Sequence, residues 1–250
     1  MFPAALRYGV TSSKASRQAR NSLLYLLYLE EADAARLLAA LHDVPPQYSA
    51  MVQLGLFTGM RRGEICGLRW SDIDFNASTI SVNRTVEYIP HEGLIFTAPK
   101  TKASNRTFKV GANCMDMLRE YQLYQKAERL RVGSMWARTV QVENGKTVQN
   151  DLLFTSWDGT PFDLERLTTW FPHFLREHDL PAVHFHSLRH TYASLMIAAH
   201  VPITTVSGRL GHAQTSTTTD IYAGFIRTAD AAASDAMEIV FDNIREKSRA

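Results

Sequence analysis

The stretch RLGHAQTSTTTDIYAGF, residues 209–225, holds a histidine and a tyrosine of the kinds that serve in nucleophilic catalysis. His212 directly follows a glycine, and Tyr222 follows a run of hydroxyl-bearing side chains. A tyrosine hydroxyl has a pKa of about 10, so Tyr222 would need activating neighbours to attack an electrophile at neutral pH. The alternative is a Tyr222 that packs its ring in the core and leaves its hydroxyl hydrated. The rest of the sequence decides between the two.

A second stretch, HSLRHTYASLMIAAH at residues 186–200, has helical periodicity. One face of this helix is apolar, and His186, Arg189 and His190 share the opposite face. Histidine transfers protons near neutral pH and is a poor choice for solubility alone. The pattern therefore indicates a functional face, with a solvated basic face as the alternative.

A third stretch, TGMRRGEICGLRW at residues 58–70, places Arg61 and Glu64 three residues apart. Such residues are neighbours if the backbone after Gly59 is helical, and the carboxylate would then orient the guanidinium. The alternative is a surface ion pair, which is typically worth only about 0–1 kcal/mol.

The composition is that of an ordinary globular protein, with 27 basic and 25 acidic residues and a net charge of +2. Any basic surface must therefore come from local arrangement. Cys66 and Cys114 lack the spacing of a zinc site or a disulfide framework, which favours a reducing cytoplasm. No apolar run approaches the roughly 18 residues needed to cross a bilayer, and no secretory signal follows Met1. We expect a cytoplasmic protein with no membrane partner.

The periodicity of the chain predicts an α+β fold that is mainly α-helical, with a small antiparallel three-stranded sheet. Apolar residues at helical spacing predict helices within seven segments: 30–43, 45–59, 112–133, 163–180, 186–200, 203–212 and 230–247. β-Branched and aromatic residues predict strands within residues 79–89, 94–101 and 105–111. The turns of this sheet would present lysines.

Four stretches, taken in order, resemble the tyrosine recombinases, the phage-type integrases: TGMRRGEICGLRWSDID, APKTKASNRTFKV, HSLRHTYASLMI and RLGHAQTSTTTDIYAG. HxLRH, and LGH with a tyrosine ten residues after its histidine, make the combination specific. The resemblance covers roughly residues 30–228. It implies the catalytic-domain fold of that family and site-specific recombination of DNA through a covalent 3′-phosphotyrosine intermediate.

The resemblance also implies a role for each matching residue. The catalytic set is Arg61, Lys100, His186, Arg189, His212 and Tyr222, with Glu64 and His190 in support. The two arginines would bind the non-bridging phosphate oxygens, because planar guanidinium forks match that geometry. His212 would donate a hydrogen bond to the phosphate, His186 could help to accept the tyrosine proton, and the lysine would protonate the departing 5′ oxygen.

The catalytic lysine has two candidates, and two other positions differ from the family pattern. PKTKAS offers Lys100 and Lys102, and the Pro-Lys-Thr context favours Lys100. His200 stands where family members commonly have a glycine, and Gly208 stands where a larger residue is usual. Neither departure touches a reacting group.

The expected reaction needs neither metal nor ATP, because a phosphotyrosine bond preserves the energy of the broken phosphodiester. A two-metal nuclease would need several converging carboxylates. Asp72 and Asp74 are the obvious candidates, and they are better interpreted as turn or capping residues. We therefore predict no metal and no cofactor.

Two other functions are compatible with parts of the sequence. HVPITTVSGRL, residues 200–210, resembles a helix-turn-helix DNA-binding module, which would do no chemistry. That interpretation leaves the histidines, Arg189 and Tyr222 without roles. A topoisomerase of the type IB kind would share the nucleophile chemistry but would relax DNA without exchanging partners.

The predicted organisation has three parts. Residues 1–29 form a basic linker or the remnant of an upstream DNA-clamping domain, 30–228 the catalytic domain, and 229–250 a C-terminal helix and tail. The apolar face of this last helix could dock on its own protomer or on a neighbouring one. The expected partner is double-stranded DNA at attachment sites, bound by a homo-tetramer of protomers that are monomers without DNA. The protein would then be associated with the nucleoid.

Overall fold

The structure is a computed structural model that describes residues 28–98, 102–141, 146–216, 218, 219 and 222. Lys100, most of the predicted N-terminal linker and the predicted C-terminal helix lie outside these residues.

Helices account for most of the described chain. Seven α-helices lie within it, and all except the third confirm predicted segments. They are α1 (Glu31–Ala40), α2 (Pro46–Thr58), α3 (Arg62–Cys66), α4 (Ala112–Val132), α5 (Leu164–Glu177), α6 (Ser187–Ala198) and α7 (Ile203–Leu210). The expected Arg61–Glu64 pairing requires a helical backbone after Gly59, and the short helix α3 provides it. None of the helices within the described ranges is both long and apolar enough to span a membrane.

The end of α2 shows why its sequence needs a glycine. Gly59 terminates the helix with a φ of 64°, in the left-handed region that glycine adopts without strain. A Cβ atom there would lie 2.5 Å from Cδ1 of Tyr192, so α2 and α6 meet closely at this point. The carbonyl of Gly59 is thereby directed towards α6.

Within the described ranges the strands form three small antiparallel sheets. They are β1 (Ile73–Asp74), β2 (Thr79–Val82), β3 (Thr85–Ile89), β4 (Gly93–Thr97), β5 (Arg106–Lys109), β6 (Thr139–Gln141) and β7 (Thr147–Gln149). The three-stranded sheet has the order β1-β2-β5, while β3–β4 and β6–β7 are separate hairpins. The sequence predicts one three-stranded antiparallel sheet, but its strands differ from the predicted set.

The difference arises at Asn83 and Arg84, which divide the segment predicted as one strand into β2 and β3. The Asn83 amide donates to Asp72, and the Arg84 guanidinium pairs with the same carboxylate and donates to the Gly67 carbonyl. These side-chain bonds direct the chain out of the first sheet. β2 then pairs with β5, and β3 pairs with β4.

The core has a large cluster and a smaller one. The smaller cluster lies between α6 and α7 and contains Tyr192, Ala193, Ile197, Val206, Leu210 and Tyr222. The α6–α7 turn passes through His200, which has a φ of 57°. Histidine tolerates this left-handed conformation better than most residues, at the position where a glycine is usual. The segment that resembles a helix-turn-helix module, residues 200–210, therefore consists of this turn and the helix α7, which packs against α6 in the core.

Candidate active site

At the start of α3, the partly exposed Arg61 pairs with the buried carboxylate of Glu64. The Arg61 backbone N–H donates to Glu64 Oε2 at 2.8 Å, and Arg61 Nη1 donates to Oε1 at 2.9 Å. Glu64 is 4% exposed, so the interpretation as a surface ion pair is wrong. The carboxylate caps the helix and orients the guanidinium at once.

Arg106, at the start of β5, is a member of the site that the sequence did not reveal. Its Nη1 and Nη2 donate to Oε1 and Oε2 of Glu64 at 3.1 and 2.9 Å. The two residues are 42 positions apart, and no local spacing signals the contact. The strand RTFK begins and ends with a basic residue, so the residue types alone did not single out Arg106.

Arg189 is buried where α2, α6 and α7 meet. Its Nη1 donates to the Gly59 carbonyl at 2.8 Å and its Nη2 to the Leu210 carbonyl at 2.6 Å. Because it is 4% exposed, the interpretation as a solvated basic face is wrong for this residue. The two backbone acceptors fix the plane of the guanidinium.

Tyr222 is 2% exposed, and its hydroxyl lies 2.8 Å from Nδ1 of His190. Burial raises the pKa of Tyr222, and the nearby Arg189 opposes this rise. Burial, with His186 and Arg189 nearby, lowers the pKa of His190 to about 4. His190 is therefore neutral at pH 7, and its unprotonated ring nitrogen can accept a hydrogen bond from the Tyr222 hydroxyl.

His212 lies after the αL glycine that ends α7. Its Nδ1 is 2.7 Å from Oγ1 of Thr218. Burial, followed by the charges of Arg189 and Arg61, lowers the pKa of His212 to about 4. When Nδ1 accepts a hydrogen bond from the Thr218 hydroxyl, Nε2 carries the ring proton and can donate a hydrogen bond to a substrate.

His186 directly precedes α6, and its ring centre lies 5.3 Å from that of His190. It is exposed on one side. Partial burial and the charges of Arg189 and Arg61 lower its pKa. All three histidines are thus close to Arg189.

The two candidate lysines are described to different extents. Lys100 lies outside the described residues. The backbone of Lys102 begins a 3₁₀ turn, Lys102–Ser104, which leads directly to Arg106. The assignment of the catalytic lysine stays a prediction.

The electrostatics of the site favour an anion. Arg61, Arg106 and Arg189 lie around the single carboxylate of Glu64. Burial and the charge of Arg61 lower the pKa of Arg189 to about 9, the opposite of what a neighbouring anion would cause. A phosphodiester would relieve this concentration of positive charge.

The described residues include no group of three or more histidine, cysteine, aspartate or glutamate side chains that could hold a metal. Asp72 Oδ2 accepts the Arg69 N–H, and Asp74 Oδ1 accepts the N–H groups of Asn76 and Ala77. The predicted capping and turn roles of these aspartates are confirmed.

Comparison with known proteins gives the family to which this arrangement belongs. The model of the phage integrase family matches residues 28–225. The chain is a member of the phage integrase family. The predicted resemblance is confirmed.

Two relatives illustrate the family. A XerC-like tyrosine recombinase of Caldanaerobacter subterraneus subsp. tengcongensis is 35% identical over 185 residues, which cover 71% of this chain and 45% of the relative. The ICEBs1 integrase of Bacillus subtilis is 25% identical, with coverage of 70% and 44%. The chain thus spans about half the length of the curated relatives it matches.

Solved structures share the fold. The Tn1549 transposon integrase, in complex with transposon right end DNA, gives a TM-score of 0.68 at 18% identity and covers 83% of this chain and 66% of that one. XerA recombinase gives a TM-score of 0.60 at 23% identity, with coverage of 83% and 63%. The predicted recombinase fold of this phage integrase family member is confirmed.

Proposed function

We propose that the protein is a site-specific DNA recombinase that cuts and rejoins strands through Tyr222. The observation that carries this proposal is the Tyr222 hydroxyl, which is hydrogen-bonded to the neutral His190 beside the buried guanidinium of Arg189. A hydroxyl, a base and fixed cations are the parts that phosphoryl transfer to a side chain requires. Family membership supports the same reaction.

Arg61 and Arg189 would bind the non-bridging oxygens of the scissile phosphate. Arg189 is held by two backbone carbonyls and Arg61 by Glu64, so neither guanidinium needs to reorganise when charge develops on the phosphate. His212 would donate from Nε2 to the same oxygens, because Thr218 occupies Nδ1. These three groups would stabilise the extra negative charge of the pentavalent transition state.

In the cleavage step, the Tyr222 oxygen attacks phosphorus and the bond to the 5′ oxygen breaks. The tyrosine proton passes to Nδ1 of His190, which the hydrogen bond supports as the acceptor in place of His186. A lysine, Lys100 by the family resemblance, would give a proton to the departing 5′ oxygen. The products are a 3′-phosphotyrosine and a free 5′-hydroxyl, and attack by a 5′-hydroxyl from a second duplex reverses the step.

Strand exchange would require two DNA duplexes and four protomers, which are monomers without DNA. An apolar groove of about 470 Å³ lies between α2, α6 and the start of α4, lined in part by Leu56, Phe57 and Met196. It is suited to the apolar face of the helix predicted within residues 229–250 of a neighbouring protomer. This assembly on DNA places the protein with the nucleoid in the cytoplasm.

A covalent-adduct assay tests the reaction and finds the target site in the same experiment. Fragmented DNA of the source organism is incubated with the full chain, protein-linked fragments are recovered under denaturing conditions, and their 3′ ends are sequenced. A nicked duplex with the mapped sequence is then used as a suicide substrate. We expect adducts with wild type, none with Tyr222→Phe, and free 5′-hydroxyl ends that a polynucleotide kinase can label.

Tyr192→Phe is the matched control, because it removes a hydroxyl from the same core cluster without touching the proposed reaction centre. It should form the adduct. An adduct with Tyr222→Phe would show that the nucleophile is another residue. Joined products from two marked sites would support recombination, whereas relaxation of supercoils without joined products would support a topoisomerase.

A further inference from the structure

Arg106 connects three segments of the site through one buried guanidinium. Its side chain is 7% exposed. Besides the two bonds to Glu64, Nε donates to the Arg209 carbonyl at 2.7 Å and Nη1 to the Ser104 carbonyl at 3.1 Å. The start of β5, the start of α3 and the last turn of α7 therefore meet at this residue.

The bonds to Glu64 are divided unequally between its two arginines. Arg106 gives the carboxylate two side-chain N–H groups, whereas Arg61 gives it one side-chain N–H and its backbone N–H. The Arg61 side chain is also 40% exposed. Because Arg106 supplies the two parallel N–H groups that neutralise the buried carboxylate, Arg61 bonds Glu64 through one side-chain nitrogen and stays partly exposed.

We propose that Arg106 is a positioning residue for strand cleavage, which neutralises Glu64 so that Arg61 stays available to the scissile phosphate. This inference rests on the proposed function. Without Arg106, Arg61 would be the one cation bonded directly to Glu64 among the residues that the structure describes. Arg61 would then turn both of its terminal nitrogens to the carboxylate, because a buried and uncompensated charge is costly. A guanidinium held in this way would no longer bind the phosphate.

The first test compares two linkages at the mapped cleavage site. One suicide duplex carries the natural phosphodiester, and the other carries a methylphosphonate, which lacks one charged non-bridging oxygen. On the phosphodiester, Arg106→Gln should form the adduct roughly 100-fold more slowly than wild type, the loss expected from a misplaced catalytic group. On the methylphosphonate this ratio should fall to within about 3-fold, because the uncharged linkage depends less on Arg61. Arg61→Ala should show the same pattern.

Two further variants separate positioning from stability. Arg106→Lys keeps the charge without the fork, and it should recover part of the rate on the phosphodiester. Arg84→Gln breaks another buried ion pair, between Arg84 and Asp72, which does not contact Arg61 or Glu64. It should lower Tm, and any loss of rate should be equal on the two linkages. An Arg106→Gln defect that is equal on the two linkages would contradict the inference.

The second test needs no DNA. The carboxyl carbon of Glu64 is titrated by NMR in wild type and in Arg106→Gln. Arg61, Arg106, His186 and Arg189 are the charged or titratable groups that face Glu64. Burial raises the pKa of Glu64, and Arg106 lowers it most strongly among these groups, so the net pKa is below its ordinary value. Loss of Arg106 should raise the Glu64 pKa, and the acid limb of the adduct-formation profile should move up in pH with it.

The outcomes separate the inference from the proposed function. If wild type forms no adduct on any mapped or candidate DNA, the proposed function fails and the inference fails with it. If wild type forms the adduct and Arg106→Gln matches its rate, the inference alone fails. An unchanged Glu64 pKa in Arg106→Gln would also overturn it, whether or not a DNA site is known.

Discussion

Glu64 and Asp72 occupy similar positions in two neighbouring turns of the chain, but they differ in the charges that surround them. Each carboxylate is buried and accepts the backbone N–H of the residue three positions before it, at the start of a short helix. Each also pairs with an arginine from a later strand or its approach. Glu64 binds two arginines, whereas Asp72 binds Arg84 and the amide of Asn83.

The charge balance of the two groups is therefore different. One carboxylate and one guanidinium give the Asp72 group no net charge. One carboxylate and two guanidinium groups leave the Glu64 group with a net positive charge, and Arg189 adds to it. In the Asp72 group the capping arrangement stabilises the fold. In the Glu64 group the same arrangement also leaves a positive charge that can attract an anion.

The largest expected effect comes from removing each carboxylate charge with an isosteric amide. Glu64→Gln and Asp72→Asn should each lower the free energy of unfolding by about 3 kcal/mol, because each leaves a buried arginine without its counter-ion. At a temperature where both variants are folded, Glu64→Gln should slow adduct formation roughly 100-fold. Asp72→Asn should stay within about 3-fold of wild type. Urea unfolding and adduct kinetics measure the two quantities.

Equal losses of rate in the two variants would end the distinction, since a common loss would indicate that both carboxylates act through the fold. Equal losses of stability with unequal rates would sharpen it.

The pH dependence of stability gives a second measure of the Glu64 group. Its arginine partners hold the pKa of Glu64 below the ordinary value of 4.5 although burial opposes them. A carboxylate with a depressed pKa in the folded state stabilises the protein above its unfolded-state pKa, and this contribution is lost as pH falls through the folded-state pKa. Each unit of depression is worth about 1.4 kcal/mol.

We therefore expect the difference in unfolding free energy between wild type and Glu64→Gln to be constant from neutral pH down to about 5 and to shrink below that. Urea titrations at a series of pH values would measure it. A difference that is the same at pH 7 and pH 3 would show that the carboxylate acts by shape and not by charge.

Two glycines allow the neighbourhoods of the carboxylates to be perturbed with one methyl group each. Gly211 has a φ of 69°, and a Cβ there would lie 2.9 Å from Nη1 of Arg106. Gly67 has an ordinary φ of −86°, and its Cβ would lie 3.1 Å from the Gly63 carbonyl. Gly211→Ala should cost about 1–2 kcal/mol of stability through the left-handed backbone.

Gly211→Ala should also slow adduct formation, because it displaces Arg106 from Glu64. Gly67→Ala should cost less than about 1 kcal/mol, since the αR backbone accepts alanine, and it should leave the rate unchanged. Thermal unfolding and adduct kinetics compare them. Slower cleavage by Gly67→Ala than by Gly211→Ala would indicate that the surroundings of Asp72, and not those of Glu64, support the reaction.

The sequence predicted those parts of the molecule that are encoded locally. Helical periodicity located the helices, and the motifs around Arg61, Arg189, His212 and Tyr222 predicted residues that the structure brings together. The sequence did not predict Arg106 as a site residue, because its bonds are to Glu64, 42 positions away, and no local pattern encodes this contact. The contact between His190 and Tyr222 also depends on tertiary packing, since the two lie 32 positions apart.

The prediction of the sheet was wrong in part for the same reason, because tertiary contacts decide which strands pair. β-Branched residues on both sides of Asn83 and Arg84 favour one continuous strand. Their bonds to Asp72 outweigh this preference and send the two halves into different sheets. The two interpretations of Tyr222 do not exclude each other, because its ring packs in the smaller core cluster while its hydroxyl lies beside His190.

The smallest expected effect lies at Gly208, within α7, where the family usually has a larger residue. A Cβ atom there would meet no heavy atom within 4 Å in the described part of the chain, so the methyl group adds helix propensity without a clash. Gly208→Ala should raise the free energy of unfolding by about 0.5–1 kcal/mol and leave adduct kinetics unchanged.

The matched control is Gly55→Ala in α2, where the Cβ would lie 3.0 Å from Cδ1 of Leu188. That variant should lower Tm despite the same gain in propensity, because the close contact of α2 with α6 must open. A Gly208→Ala protein that is more stable but slower would show that the last turn of α7, which supplies the Arg209 carbonyl to Arg106, must move during the reaction.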